Sequence, residues 1–138
     1  PSDQSLRVPC YCEENVWRLA HRKLHSPGHL PTSDGSAHQD CQYYVVFITN
    51  PSKCTPMFHQ MAASHPSRPC YWDYHVILIS YSTEPGQESS VQVFDMDSFL
   101  PFPCSLEEYL TRVFPKEIPW PPEYLPYFRY VDAVWIVL

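Results

Sequence analysis

At 138 residues, with 44% hydrophobic and 15% aromatic side chains, the chain has the length of one domain and too much apolar content for disorder. It can bury a core without disulfide staples. The net charge of −6, with no run of Lys or Arg, excludes a surface that tracks nucleic-acid phosphates, and no apolar stretch approaches the ~20 residues of a membrane helix. The chain starts at Pro1 and lacks the basic and apolar regions of a signal peptide, so it reads as a processed, trimmed or partial cytosolic chain. The six cysteines are accordingly expected as reduced thiols.

Residues 1–9 read as a loose leader. From Cys12 to about Lys23, Val16, Leu19, Ala20 and Lys23 recur at helical steps, and Glu13 and Glu14 suit the positive end of the dipole. His25 to Asp40 is rich in Pro, Gly, Ser and His and reads as a surface loop. Tyr43–Thr49 is a β-branched and aromatic run, hence a buried strand, punctuated by Asn50-Pro51-Ser52. Thr55–Gln60 is expected to return beside it, with Pro56 weakening it. After a polar loop over 62–70, Tyr71–Tyr81 gives the strongest strand signal. Glu84-Pro85-Gly86-Gln87 marks a turn, and Val91–Asp97 is the next strand.

Ser105-Leu106-Glu107-Glu108 matches a capping box, so a short helix should run to about Phe114. Pro115 ends it, residues 115–126 read as an extended connector, and Phe128–Leu138 has strand-like composition. Segregated helices and antiparallel strands of this kind predict an α+β fold, an antiparallel sheet packed on an N-terminal helix.

The chemistry centres on Cys12, His75 and Asp95. A cysteine is by default a small buried hydrophobe. At a helix start, however, unpaired N–H groups and the dipole stabilise a thiolate, which is the nucleophile. His75 lies inside a strand, where a histidine is usually structural. If His75 pairs directly with Asp95 in a hairpin, the centre falls at Pro85, within the turn that composition marks. Opposed residues face the same way with Cβ atoms ~5 Å apart, so the carboxylate can orient the ring. Asp97 is the competing orienter, reached by a register slip of two. Thiolate, imidazolium and acid together are the apparatus of a cysteine hydrolase.

Three segments carry a resemblance. They are Cys10-Tyr11-Cys12-Glu13-Glu14-Asn15-Val16-Trp17, Trp72-Asp73-Tyr74-His75-Val76, and Phe94-Asp95-Met96-Asp97 continuing to Leu100-Pro101-Phe102-Pro103-Cys104. In this order they resemble the protein N-terminal glutamine amidohydrolase family, from about Cys10 to Asp132. The resemblance implies a papain- or transglutaminase-like core, with Cys12 as nucleophile, His75 as base and Asp95 as orienting acid. It implies deamidation of an N-terminal Gln on proteins or peptides to Glu with release of ammonia, feeding degradation that reads N-terminal residues. No metal or cofactor is implied, nor any nucleic-acid or membrane partner. A monomer in the cytoplasm and nucleus is expected. The family continues past Leu138, so 1–138 is expected to be a single catalytic domain lacking its C-terminal part. Glu14, Asp73 and Tyr74 are candidates to line a pocket for the substrate's free α-amine.

Three other readings remain open at this level. A zinc site at Cys10-x-Cys12 lacks a second pair at similar spacing. A non-catalytic interaction module could use the Pro-rich segment. A cysteine peptidase shares the chemistry up to the leaving group.

Overall fold

The computed structural model of the chain describes residues 2–26, 40–83, 86 and 88–138. Helix α1 (Cys12–Leu24) is followed by strands β1 (Asp40–Thr49), β2 (Thr55–Met57), β3 (Cys70–Trp72), β4 (Tyr74–Thr83), β5 (Ser90–Phe94) and β6 (Cys104–Ser105). Helix α2 (Leu106–Val113), strand β7 (Tyr127–Asp132) and helix α3 (Ala133–Val137) complete the order. The fold is α+β. One five-stranded antiparallel sheet runs β6-β5-β4-β1-β7, and β2 and β3 form a separate ribbon.

The period-two alternation of the central strands divides the core. Val45, Val76 and Leu78 pack with Val16, Leu19 and Ala20 of α1 on one face. Val46, Ile48, Ile77 and Val93 pack with Tyr109 and Val113 of α2 on the other. Each fully buried aliphatic side chain here contributes roughly 1.5–3 kcal/mol relative to exposure. A sheet covered on both faces explains why β4 reads as a continuous apolar run rather than a strict alternation.

Several expected boundaries move, each for a local reason. The leader is ordered: a 3-10 turn over Asp3–Leu6 is tied down by Asp3, which pairs with Arg22 (3.1 Å) and Lys23 (2.6 Å) of α1. These two cations outweigh the burial that raises the Asp3 pKa and leave it lowered. Thr55–Gln60 does not return beside β1. The Asn50 side chain grips both N–H and C=O of Cys54, turning the chain away, and β4 and β7 occupy both edges of β1.

The long strand expected over Tyr71–Tyr81 is broken at Asp73. There the side chain accepts from the Tyr74 N–H and the carbonyl accepts from Thr49 Oγ1. The expected strand Val91–Asp97 stops at Phe94, because Asp95 folds into a turn that takes the N–H groups of Asp97 and Ser98. The strand-like C-terminus ends at Asp132, whose carboxylate caps the Val134 N–H at 3.0 Å and starts α3. The connector over 115–126 contains a 3-10 turn at Pro122–Tyr124. The α1 and α2 expectations hold to within a residue, with Ser105 capping the Glu108 N–H. Of the expected loop over 25–40, residues 27–39 lie outside the described residues, as do Glu84, Pro85 and Gln87 of the expected turn.

Candidate active site

Cys12 is the first residue of α1. It sits there because Asn15 locks the preceding loop: its side chain accepts from Val8 N–H (2.7 Å) and donates to Val8 C=O (2.8 Å). Cys10 turns the chain at φ 65° and points to solvent, whereas Cys12 is 9% exposed. The first helical hydrogen bond runs from Asn15 N–H to Tyr11 C=O, so the N–H groups of Cys12, Glu13 and Glu14 precede the helical ladder.

His75 is wholly buried near the start of β4, on the face it shares with Ile48 and Ile77. Its Nε2 lies 3.0 Å from Asp95 Oδ1. Its Nδ1 is buried without a hydrogen-bond partner among the described residues. The Cys12 sulfur lies beside the ring and, with Nε2 engaged by Asp95, Nδ1 is the nitrogen left to serve it. Burial would lower the imidazole pKa. The Asp95 charge and hydrogen bond, with a further contribution from Cys12, overcome it and raise the value to about 10.

Asp95 is the hub. Besides His75, its Oδ1 accepts from the Asp97 N–H (3.0 Å), and its Oδ2 accepts from the Tyr109 hydroxyl (2.7 Å) and Gln60 Nε2 (3.4 Å). Burial works to raise its pKa, yet these donors and the imidazolium hold it below the usual carboxylate value. The same carboxylate, together with burial, drives the Tyr109 phenol well above its ordinary value, so Tyr109 is fixed as a donor.

Asp97 has a different role. Burial and the neighbouring Asp95 raise its pKa, and its carboxylate is bound by Arg7 Nε at 2.9 Å. His75, Asp95 and Asp97 present donor atoms within 4.8 Å of one another, a spacing that could hold a cation. Those atoms are committed to His75, Tyr109 and Arg7 instead, which makes the cluster a hydrogen-bonded set rather than an open ligand shell.

The sequence that builds this buried thiol, imidazole and carboxylate also matches known proteins. Residues 7–137 match the family model of N-terminal glutamine amidase. The chain belongs to the N-terminal glutamine amidase family. Proteins named protein N-terminal glutamine amidohydrolase are 33% identical over 133 residues in Bos taurus, 34% over 131 in Danio rerio and 36% over 127 in Arabidopsis thaliana. These alignments cover 96%, 95% and 91% of this chain and 58%, 58% and 53% of the relatives. The chain thus spans little more than half the length of the curated relatives it matches.

Within this amidase-family chain the sequence-derived trio comes together, but not by the expected route. β4 and β5 pair Leu78 with Phe94 and Tyr81 with Val91, two residues out of the register that would set His75 against Asp95. That register would place Asp97 opposite His75. Because β5 ends at Phe94, the Asp95 turn carries the first acid to the imidazole and hands Asp97 to Arg7.

Of the pocket candidates, Glu14 lies along the helix, paired with Arg18. Tyr74 is 40% exposed, and its hydroxyl lies within reach of Glu13. Burial, then Glu13, Cys12 and Asp73, raise its pKa. A larger apolar groove of about 620 Å³, lined by Leu110, Phe114, Trp120, Leu125 and Phe128, contains none of Cys12, His75 and Asp95.

Sequence reasoning missed Arg7, Gln60 and Tyr109. Tyr109 had a signal: Leu106, Tyr109 and Val113 form the inward stripe of a short helix, and a buried Tyr needs a partner for its hydroxyl. Gln60 and Arg7 had none, because their partners lie 35 and 90 residues away.

The two perturbed groups give opposite pH trends. Asp95, held low when folded, contributes stability that is present above the ordinary carboxylate pKa and is lost as pH falls through its lower folded value. His75, held high when folded, contributes stability that is complete below the unfolded imidazole value and fades as pH rises toward about 10. The pair should therefore stabilise most between about pH 4 and pH 6.5, the unfolded values of the two groups. Urea unfolding of wild type and His75→Gln at pH 5.5 and 9.5 checks this. The difference between the two proteins should shrink at the higher pH, and a constant difference would contradict the assignment.

Proposed function

We propose that this chain carries the Cys-His-Asp centre of an enzyme that deamidates N-terminal glutamine of proteins and peptides. The observation that carries the reading is the buried His75, bound through Nε2 to Asp95 and left with Nδ1 for the helix-terminal Cys12. In this reading Cys12 passes its proton to His75 and its sulfur attacks Cδ of the glutamine side chain. The oxyanion takes the Cys12 backbone N–H at the free end of α1. The imidazolium protonates the departing nitrogen and ammonia leaves. Water, deprotonated by the imidazole, cleaves the thioester, giving Glu and the free thiol.

The substrate's α-ammonium lies only a few bonds from the reacting carbon. Tyr74, which feels the charges of Cys12, Glu13 and Asp73, is suited to receive it, with Glu13 taking the place expected of Glu14. A helix-terminal thiol set against an antiparallel sheet is also the arrangement of a papain- or transglutaminase-like core. The N-terminal Glu produced would be a signal for degradation in the cytoplasm or nucleus.

The test is ammonia release from a Gln-initiated peptide, followed beside an Asn-initiated peptide and an N-acetylated Gln peptide. The Gln peptide alone should be converted to its Glu form. Equal conversion of all three would overturn the N-terminal Gln assignment.

A further inference from the structure

The indole of Trp72 covers one face of the His75 imidazole, with ring centroids 4.9 Å apart and planes inclined by 16°. Trp72 does not belong to the main sheet. It is presented by β3, where it pairs with Thr55 of the short ribbon. Its Nε1 donates to Gln60 Oε1 at 3.3 Å, and the Nε2 of the same fully buried Gln60 donates to Asp95 Oδ2 at 3.4 Å. Stack and hydrogen bonds therefore close a ring of four residues: Trp72, Gln60, Asp95 and His75. The indole cannot slide off the imidazole without breaking its link to the carboxylate on the imidazole's far nitrogen.

An indole face carries negative electrostatic potential. It attracts a cationic ring more than a neutral one, and the difference grows where water is excluded. His75 has no exposed surface, so the stack acts on its protonation state and not only on its orientation. We propose that Trp72 is a positioning residue that favours the imidazolium form of His75, and thereby sets the upper pH limit of the ionised Cys12–His75 pair. This rests on the triad reading above.

Several other groups around the ring titrate or are charged. Cys12 approaches from α1, and Asp95 and Asp97 from the turn after β5. Tyr109 of α2 stands behind Asp95, and Arg7 neutralises Asp97. Trp72 itself stays neutral at every pH, so its own charge does not change as these groups titrate.

The experiment is an NMR titration of the His75 imidazole in protein grown on 5-fluorotryptophan. Fluorine weakens the indole face and leaves its shape nearly unchanged, so folding is not at stake. The chain has four tryptophans, and an equally labelled Trp72→Phe protein isolates the contribution of this one. The His75 midpoint should fall on fluorination in the wild-type background and stay put in the Trp72→Phe background. Trp72→Leu should lower it by about one pH unit, in line with the range of cation–π interactions. A midpoint unmoved by fluorination and by Trp72→Leu would overturn the inference.

Gln-peptide turnover is followed on the same samples. Absent turnover with a Trp72-dependent midpoint sinks the substrate assignment and upholds the role of Trp72. Normal turnover with a Trp72-independent midpoint does the reverse.

Discussion

Cys12→Ser should reduce Gln-peptide kcat/KM by at least about a thousandfold while leaving the fold intact. A hydroxyl is a far weaker acid than a thiol, so His75 can no longer hold a preformed ion pair, and knockouts of a nucleophile in such triads remove most of the rate. The substitution is nearly isosteric at a site that is 9% exposed, so the change in stability should stay within about 1 kcal/mol. Urea unfolding checks the fold and ammonia release checks the rate. Cys10→Ser is the control. Its side chain is exposed at a left-handed backbone position, away from the imidazole, and activity should survive. Loss of activity in Cys10→Ser alone would mean that the wrong thiol has been assigned.

The second large effect separates the two acids of Asp-Met-Asp. Asp95→Asn removes the charge that holds His75 protonated and puts an amide where one carboxylate takes four donors. At least one of those donors is then left buried and opposed by another donor. The same change in a comparable triad costs about ten-thousandfold in kcat, and a fall of about 10³-fold or more is expected here. The His75 midpoint should drop with it. Asp97→Asn keeps an oxygen for Arg7 and leaves the Asp95 shell in place, so the loss should be about tenfold or less. Peptide kinetics on both variants decide the matter. A larger loss in Asp97→Asn would show that the second acid orients the ring.

His75 and Asp95 meet as expected from sequence, but through a different strand register. The trio was legible because each member has a local sign: a thiol at a helix start, a histidine in an apolar strand, an acid within the expected next strand. The strand register that appeared to link the last two is two residues off, and only the turn at Asp95 restores the contact. Register depends on how a hairpin closes and on where each strand stops. Both were settled by side chains that capture nearby backbone groups, as Asp73 and Asp95 do. Such captures use the same residue types that occur in ordinary loops, so pattern alone does not flag them.

The sequence by itself determined the α+β class, the start of α1 at Cys12, the capped α2, the apolar core strands and the choice of Cys12, His75 and Asp95 as a candidate trio. Each follows from periodicity, capping chemistry or intrinsic reactivity, all of which act within a few residues. Tertiary structure alone decided that Tyr109, Gln60 and Trp72 surround His75 and Asp95, that Arg7 from the supposed leader claims Asp97, and that the Thr55 segment leaves the main sheet. The reason is physical. A buried carboxylate must collect donors from wherever the chain can bring them, and its three side-chain donors come from residues 14 to 35 positions away, a separation over which local propensity carries no information.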